Sequence, residues 1–357
     1  MNRAFWYGRR VFVTGHTGFK GSWLSHWLSR VGSLVSGYAL APTTEPNLFN
    51  AATVDARINS QFGDIRDLHR LTTAITSFEP EIIFHLAAQP LVRSSYETPI
   101  ETFHTNVLGT ANVLEAIRNS PSLRAVVVIT TDKCYENQEW VWPYREGDRL
   151  GGSDPYAASK ACAELVVTSY RRSYFSQPGA PGLATARGGN VVGGGDWSAD
   201  RIIPDLVRSF VSGVPATIRN PEAVRPWQSV LDALHGYILL AENLFENAAK
   251  FSGAWNIGPP TAAEMTVRQV ADIFANSWQD GASWRYVPDP AGPHEARLLT
   301  LDTSKARVLL NWRDASVGET AIRQAAEWYQ KFYLGDEAAK LMSSAIDSYE
   351  KGIKSNE

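Results

Sequence analysis

The run TGHTGFKG at residues 14–21 constrains this chain more than any other stretch. It follows a short β-branched run, Arg10 to Thr14, and leads into SWLSHWLSRVG, where Trp23, Leu24, Trp27, Leu28 and Val31 fall on one helical face. Strand, glycine turn and amphipathic helix therefore succeed one another without a spacer. Gly15, Gly18 and Gly21 stand three apart. One permits the tight turn, one lets the backbone approach a pyrophosphate, and one allows close helix packing, while the helix N-terminus offers free N–H groups to the anion. A turn of this kind near the start of a βα series reads as a dinucleotide site; an ordinary structural turn leaves three glycines unexplained.

Leu34 to Leu40, Ile58 to Phe62, Ile82 to Leu86, Ala125 to Thr130 and Gly182 to Arg187 read as further strands, with helical patterns at Asp67 to Phe78 and Pro99 to Arg118. Regular alternation of strand and helix predicts an α/β fold, a Rossmann-type doubly wound parallel sheet whose ligands sit at the carboxyl ends of its strands. Residues 1–187 are expected to form that domain. Beyond them the alternation weakens, so 188–357 are assigned mainly to a smaller substrate-binding lobe interleaved with the last sheet strands. GGNVVGGGDW is too glycine-rich for a regular element, and the polar tail from Asp336 predicts a surface helix with a frayed end.

Composition narrows the class. The 357 residues are 44% hydrophobic with a formal net charge of −3, and no Lys/Arg block gives a footprint for nucleic acid or an anionic membrane. Two cysteines, Cys134 and Cys162, are too few for a disulfide framework or a zinc site, the seven histidines show no ligand spacing, and no metal is expected. With no signal-like segment and no long apolar run, the cytoplasm is the expected compartment. The twelve tryptophans are dispersed, which suits core and subunit-interface packing.

A dinucleotide site normally carries an acidic residue about 20 positions beyond the glycines, for the adenosine ribose. Here Leu40 is followed by Ala41, Pro42, Thr43 and Thr44, so hydroxyls take that place; no arginine stands there to receive a 2′-phosphate, and NAD is expected over NADP. Asp64 either accepts from the adenine amino group or caps the helix from Asp67. Ala87 and Ala88 are small enough to let the dinucleotide pass over a strand end. Thr17, Phe19, Ile65 and Leu86 adjoin these positions and are counted with them.

Two reactive clusters bracket residues 129–160. Thr131, Asp132 and Lys133 follow an apolar strand, and Tyr156 stands four residues before Lys160 in a helical pattern, one turn away on the same face. A free tyrosine, with a pKa of roughly 10, is a poor base at neutral pH, but a neighbouring ammonium and a positively charged nicotinamide both favour its phenolate. Tyr156 is then placed to take a proton from a sugar hydroxyl.

At these motifs the chain resembles the extended short-chain dehydrogenase/reductase family and, within it, the nucleotide-sugar 4,6-dehydratases. The likeness covers about the first 310 residues, through TGHTGFKG, HLAAQ, TNVLGT, DPYAASK, RGGNVVGGGDW, RPWQSVLD, WNIG and PHEARLLTLD. It implies an NAD-dependent lyase that is redox-neutral overall: oxidation at carbon 4, loss of water across carbons 5 and 6, and hydride return to carbon 6. By the same resemblance Thr131 hydrogen-bonds the sugar hydroxyl and Tyr156, Asp132 is the general acid toward the carbon 6 hydroxyl, and Lys160 orients the nicotinamide ribose. Relatives acting on dTDP-glucose have a glutamate after the aspartate as carbon 5 base. Here that position is Lys133, which points to the cytidine branch, with a CDP-hexose as substrate, and makes Lys133 the carbon 5 base once it has lost its proton. The plainer alternatives are a loop-stabilising surface lysine for Lys133 and a loop cap for Asp132.

For the nucleotide sugar, the resemblance gives Asn190, Arg225 and Arg297 to the diphosphate, Gln89 and Arg93 to the hexose, and Arg201, Pro204 and Arg219 to the base; for each arginine a surface ion pair is the alternative. Asn106 is expected to support the sheet or bind water near Tyr156. Family analogy implies a homodimer through sheet-covering helices. Val107, Leu108, Ala111, Leu114, Ala161, Leu165 and Val166 suit that surface, and core packing explains them equally well. The resemblance also suggests dideoxysugar supply for a bacterial surface polysaccharide. An epimerase or plain oxidoreductase needs no acid and base for water loss, and a non-catalytic NAD-sensing protein needs no Tyr156, Lys160 and Thr131 together.

Overall fold

A computed structural model describes residues 1–260, 263–289 and 298–355. Six short strands form the centre: β1 (Arg10–Thr14), β2 (Leu34–Ala39), β3 (Asn59–Phe62), β4 (Ile82–His85), β5 (Ala125–Ile129) and β6 (Gly182–Gly188). A seventh strand, Gly253–Ile257, comes from the later half of the chain and pairs with β6. All neighbours are parallel, in the order Gly253–Ile257, β6, β5, β4, β1, β2, β3. The chain leaves β1 toward β2 and β3, then returns to place β4 on the other side of β1. That reversal opens a crevice at the carboxyl ends of β1 and β4.

Alternate side chains enter two cores. Val11, Val13, Phe84 and Val127 face the core covered by the helices Phe19–Arg30 and Val230–Glu246, whereas Phe12, Ile83, Val126 and Val128 face the helices Leu68–Phe78, Gly109–Ile117 and Pro155–Ser173. Trp6, Trp23, Trp27, Trp255 and Trp312 are among the largest fully buried side chains, whereas Trp140 and Trp142 are exposed.

Two expectations are corrected, and one, the helix over Pro99 to Arg118, is refined. Within GGNVVGGGDW, Asn190–Val192 is a strand, because Asn190, Val191 and Val192 pair in parallel with Trp227, Gln228 and Ser229. The pattern over Pro99 to Arg118 is one helical run broken by a π-type turn at His104–Leu108, where Asn106 turns inward. The tail is no frayed surface helix. Ala338, Met342, Ile346 and Tyr349 form a buried stripe on Ala338–Ser355, and Trp27 and Arg30 of the first long helix bond Glu350 and Asp347. Among the described residues no helix is long and apolar enough to cross a membrane, no cluster of His, Cys, Asp or Glu could hold a metal, and both cysteines are free.

Candidate active site

The glycine turn lies at the mouth of the β1/β4 crevice. Gly15 adopts φ +77°, and a Cβ there would fall 2.7 Å from the Ala87 nitrogen; one on Gly21 would fall 2.0 Å from the Gly15 carbonyl oxygen. Gly18 caps the helix Phe19–Arg30 with no side-chain hydrogen bond, so its first N–H groups stay available to an anion. The Thr17 hydroxyl donates to Leu40 O (2.9 Å) and ties the turn to the end of β2. Leu86 and Ala87 are fixed against Thr14, whose hydroxyl also contacts buried His85. A cradle that side chains would fill is what a dinucleotide pyrophosphate requires, and the residues fit that group.

Elsewhere around the crevice the structure separates the residues grouped from sequence. Asp64 is no helix cap: Asp67 caps the helix Leu68–Phe78, and Asp64 pairs with Arg66 (2.5 Å), which holds its carboxyl below the usual range. The Ile65 side chain is core, packed on Gly109, and its carbonyl accepts from Asn112.

At the end of β5 the chain makes a single 3₁₀ turn, Asp132–Cys134, with Thr131 as its cap. Asp154 caps and Pro155 opens the helix Pro155–Ser173, which carries Tyr156 and Lys160. Thr131, Asp132, Tyr156 and Lys160 are all buried, and Lys133 is half-buried. Thr131 donates to Asp132 Oδ1 (2.9 Å), and Asp132 Oδ2 is buried without a partner. Burial pushes the Asp132 carboxyl up against the pull of Lys133, Thr131 and Arg225. It is thereby suited to hold a proton.

Tyr156 departs from expectation. Burial raises its phenol to about 12, opposed by the Thr131 hydroxyl and then by the charge of Arg201. The Lys160 ammonium instead donates to Ile129 O (3.2 Å), and burial lowers its pKa to about 8 against the pull of Glu164. The nearest help for the phenolate thus comes from the turn and from the lobe. Asn106 stands behind: its amide bonds Gln89 and Ser159, and Ser159 bonds Tyr156 O.

The residues assigned to the nucleotide sugar are held by partners of their own, with Arg93 and Arg219 meeting at Asp200. The Gln89 amide donates to Leu91 O and to the Thr102 hydroxyl, and its Oε1 accepts from Leu91 N, which holds it in its own tight loop. Arg93 pairs with Asp289 (2.6 Å), Arg219 with Asp200 (3.0 Å), and Arg201 with buried Asp196 (2.9 Å). Asn190 opens the short strand beside the strand Val224–Ser229, which carries Arg225 and Pro226; Arg225 donates to Val224 O. A Cβ on Gly189 would lie 3.2 Å from Asp132 Oδ2, so this pair of strands closes over the acid. Pro204 is buried in the helix Ile202–Val211. Arg297 lies outside the described residues.

Two groups at the centre escaped sequence reading. Half-buried Lys20 faces Lys160, Arg201 and Asp132, and burial is the first cause that lowers it to about 7. The buried Tyr237 hydroxyl has no partner and lies near Tyr156 and Asp132, which with burial raises its pKa. Lys20 sits inside the glycine motif itself, where a cation on a buried helix face was the available signal; Tyr237 carried none.

Residues 12–325 match the family model described as GDP-mannose 4,6 dehydratase. This chain belongs to that family. Among curated relatives it is similar to the CDP-glucose 4,6-dehydratase of Salmonella typhimurium, at 47% identity over 98% of each chain. Among solved structures of this fold it resembles the dTDP-glucose 4,6-dehydratase of Bacillus anthracis in complex with NAD (TM-score 0.77, 21% identity, covering 94% of this chain and 100% of that one). The UDP-glucose 4-epimerase of Thermus thermophilus in complex with NAD is similar too (TM-score 0.75, 25% identity, covering 90% and 99%). The family match thus runs from β1, just ahead of the glycine turn, into the helix Glu319–Tyr333.

Proposed function

We propose that this chain converts CDP-glucose to CDP-4-dehydro-6-deoxyglucose and water, with NAD held in the glycine cradle. The carrying observation is Asp132: a buried carboxyl, shielded from solvent and inclined to keep its proton, on a turn that adjoins Tyr156. An epimerase or oxidoreductase has no use for such an acid. The near-full-length likeness to the Salmonella enzyme supports the cytidine substrate, and the NAD complexes of similar proteins support the cofactor.

Gly15, Gly18, Gly21 and the N–H groups after Gly18 would hold the pyrophosphate, with Thr17, Phe19, Leu86, Ala87 and Ala88 around the dinucleotide, Asp64 toward its adenine, and Lys160 toward the nicotinamide ribose. Bound there, NAD supplies an oxidant for carbon 4 and afterwards a reductant for carbon 6. Tyr156, as phenolate, removes the proton of the carbon 4 hydroxyl while Thr131 orients that hydroxyl. The ketone then acidifies carbon 5, whose proton Lys133 accepts as a neutral amine, and Asp132 protonates the departing carbon 6 hydroxyl. Once carbon 6 has been reduced, the Lys133 ammonium gives the proton back to carbon 5, carbon 4 stays a ketone, and the Tyr156 proton passes by way of the Thr131 hydroxyl to the Asp132 carboxylate, so that the cycle closes with one water released and no net redox change.

Ile100, Leu108 and Leu165 are 68%, 53% and 59% exposed on adjoining helices, whereas Leu114 and Ala161 are core. A homodimer through the exposed three fits this division, and light scattering tests it. Two free cysteines fit a cytoplasmic enzyme, and the product fits dideoxysugar supply for a surface polysaccharide. Incubation of the purified protein with CDP-, dTDP-, GDP- and UDP-glucose decides the main reading: a 4-keto-6-deoxy product is expected from the cytidine compound without stoichiometric NADH. No product from it, or product only from another nucleotide, would sink the proposal.

A further inference from the structure

Four residues beyond Lys160 on the same helix stands Glu164, a carboxylate that the mechanism does not use. It is 1% exposed and pairs with the 4%-exposed Arg187 of β6 at 2.7 Å. Its two oxygens are filled. Thr130 donates to Oε1 (2.5 Å), while Thr185 (2.9 Å) and Arg187 donate to Oε2. Arg187 in turn donates to the Tyr135 hydroxyl (2.8 Å), with its guanidinium carbon 4.9 Å from the Tyr135 ring centroid, and Tyr135 donates to Asn256 (2.7 Å). Thr130 precedes the catalytic turn and Tyr135 follows it. The pair therefore grips both ends of Thr131–Lys133, and through one helical turn it grips Lys160 as well.

A buried ion pair is weak evidence of stabilisation, since apolar groups of similar volume often serve as well or better. Fixing geometry is a different matter, because donors and acceptors at set distances specify one arrangement. We propose that Glu164, clamped by Arg187, is a positioning residue that locks the dehydratase turn and the Lys160 helix into one rigid body, so that the carbon 4 and the carbon 5/6 chemistry share one sugar position. Glu164 touches neither substrate nor cofactor. This inference rests on the dehydratase reading, and the wild-type assay with CDP-glucose tests that reading separately.

The experiment compares wild type with the charge-free double variant Glu164→Gln/Arg187→Met and with Thr130→Val, which removes one donor and spares the ion pair. Melting temperature, kcat, KM, the kcat–pH profile and the steady-state fraction of bound NADH are read for each. The double variant should melt near wild type yet lose at least about ten-fold in kcat at unchanged KM, with bound NADH accumulating because the turn no longer meets the oxidised sugar. Its alkaline limb should move to lower pH. Lys160 is faced by Glu164, Cys134, His85 and Lys20, and of the charges that raise its pKa Glu164 is the first. Thr130→Val should lose a few-fold in kcat with the same rise in NADH, and Glu164→Asp should recover part of the activity lost in Glu164→Gln. If a folded double variant keeps wild-type kcat, pH profile and NADH fraction, the pair is only core packing. If the double variant fails to fold, wild-type values in Thr130→Val overturn the proposal by themselves.

Discussion

The cofactor crevice and the nucleotide-sugar side of this molecule are built by opposite means. In the crevice, the groups that would meet a ligand are backbone N–H groups and the gaps left by missing side chains at Gly15 and Gly21, fixed by contacts within a few residues and by β4. On the sugar side, three of the long cations that would meet a ligand are already held by an acid: Arg93 by Asp289, Arg219 by Asp200, Arg201 by Asp196. The crevice is preformed, whereas these three arginines would have to exchange partners to meet a nucleotide sugar. The two should therefore respond to mutation on very different scales.

The largest effect belongs to the acid at their junction. Asp132→Asn keeps the shape and the Thr131 contact but has no proton to give, so dehydration should fall roughly 10²- to 10⁴-fold. Oxidation at carbon 4 should survive, and absorbance at the NADH band should build up on adding CDP-glucose. Loss of both half-reactions together would place Asp132 in substrate binding instead. Next comes Gly21→Ala. A methyl 2.0 Å from a carbonyl oxygen forces backbone to move. Overpacking of this kind costs about 1–3 kcal/mol or more, and thermal melts with and without NAD should show both a lower midpoint and a smaller rise on adding cofactor. An unchanged melt would mean the preformed cradle is softer than its packing implies.

A third test uses pH. Burial brings Lys160 to about 8, and its cation is the form wanted beside the nicotinamide ribose. Raising pH through that value removes the proton, so kcat should decline above about pH 8, by roughly ten-fold per unit once the group is titrated. Tyr156 acts in the other sense: its phenol, raised to about 12 with no ligand bound, must fall toward neutrality in the ternary complex, so activity should drop on the acidic side. A flat profile from pH 7 to 10 would show that Lys160 is held charged by something beyond Glu164.

How much of this was legible in the sequence follows the same divide. The glycine turn, the i,i+4 pair Tyr156 and Lys160, and the six strands β1–β6 are local signals, and local rules read them. The strand Gly253–Ile257 joins the sheet only because β6 offers an open edge, and Asn190–Val192 is a strand only because Val224–Ser229 lies beside it. Neither partner is near in sequence. The pairing of Arg93 with Asp289 and the placement of Tyr237 beside Asp132 were invisible for the same reason. Arg201 shows the limit most clearly: resemblance sent it to the base, whereas the structure sets its charge against Tyr156.

The smallest effect is the sharpest probe of the contrast. Asp200 is 41% exposed, bonds Arg219 at 3.0 Å and lies 3.8 Å from the Arg93 guanidinium. An ion pair so open to solvent contributes roughly 0.2–1 kcal/mol. If the nucleotide sugar must displace this acid, Asp200→Asn should lower KM for CDP-glucose about two- to five-fold and leave kcat alone, because the competition is confined to binding. Asp289 still holds Arg93 in the variant, which keeps the gain small. Salt screens exposed charges, so at low ionic strength wild type and variant should differ most, and the gap should narrow as salt is added. A rise in KM would reverse the reading: Asp200 would then aim the two arginines at the substrate instead of occupying them, and the sugar side would be as preformed as the crevice.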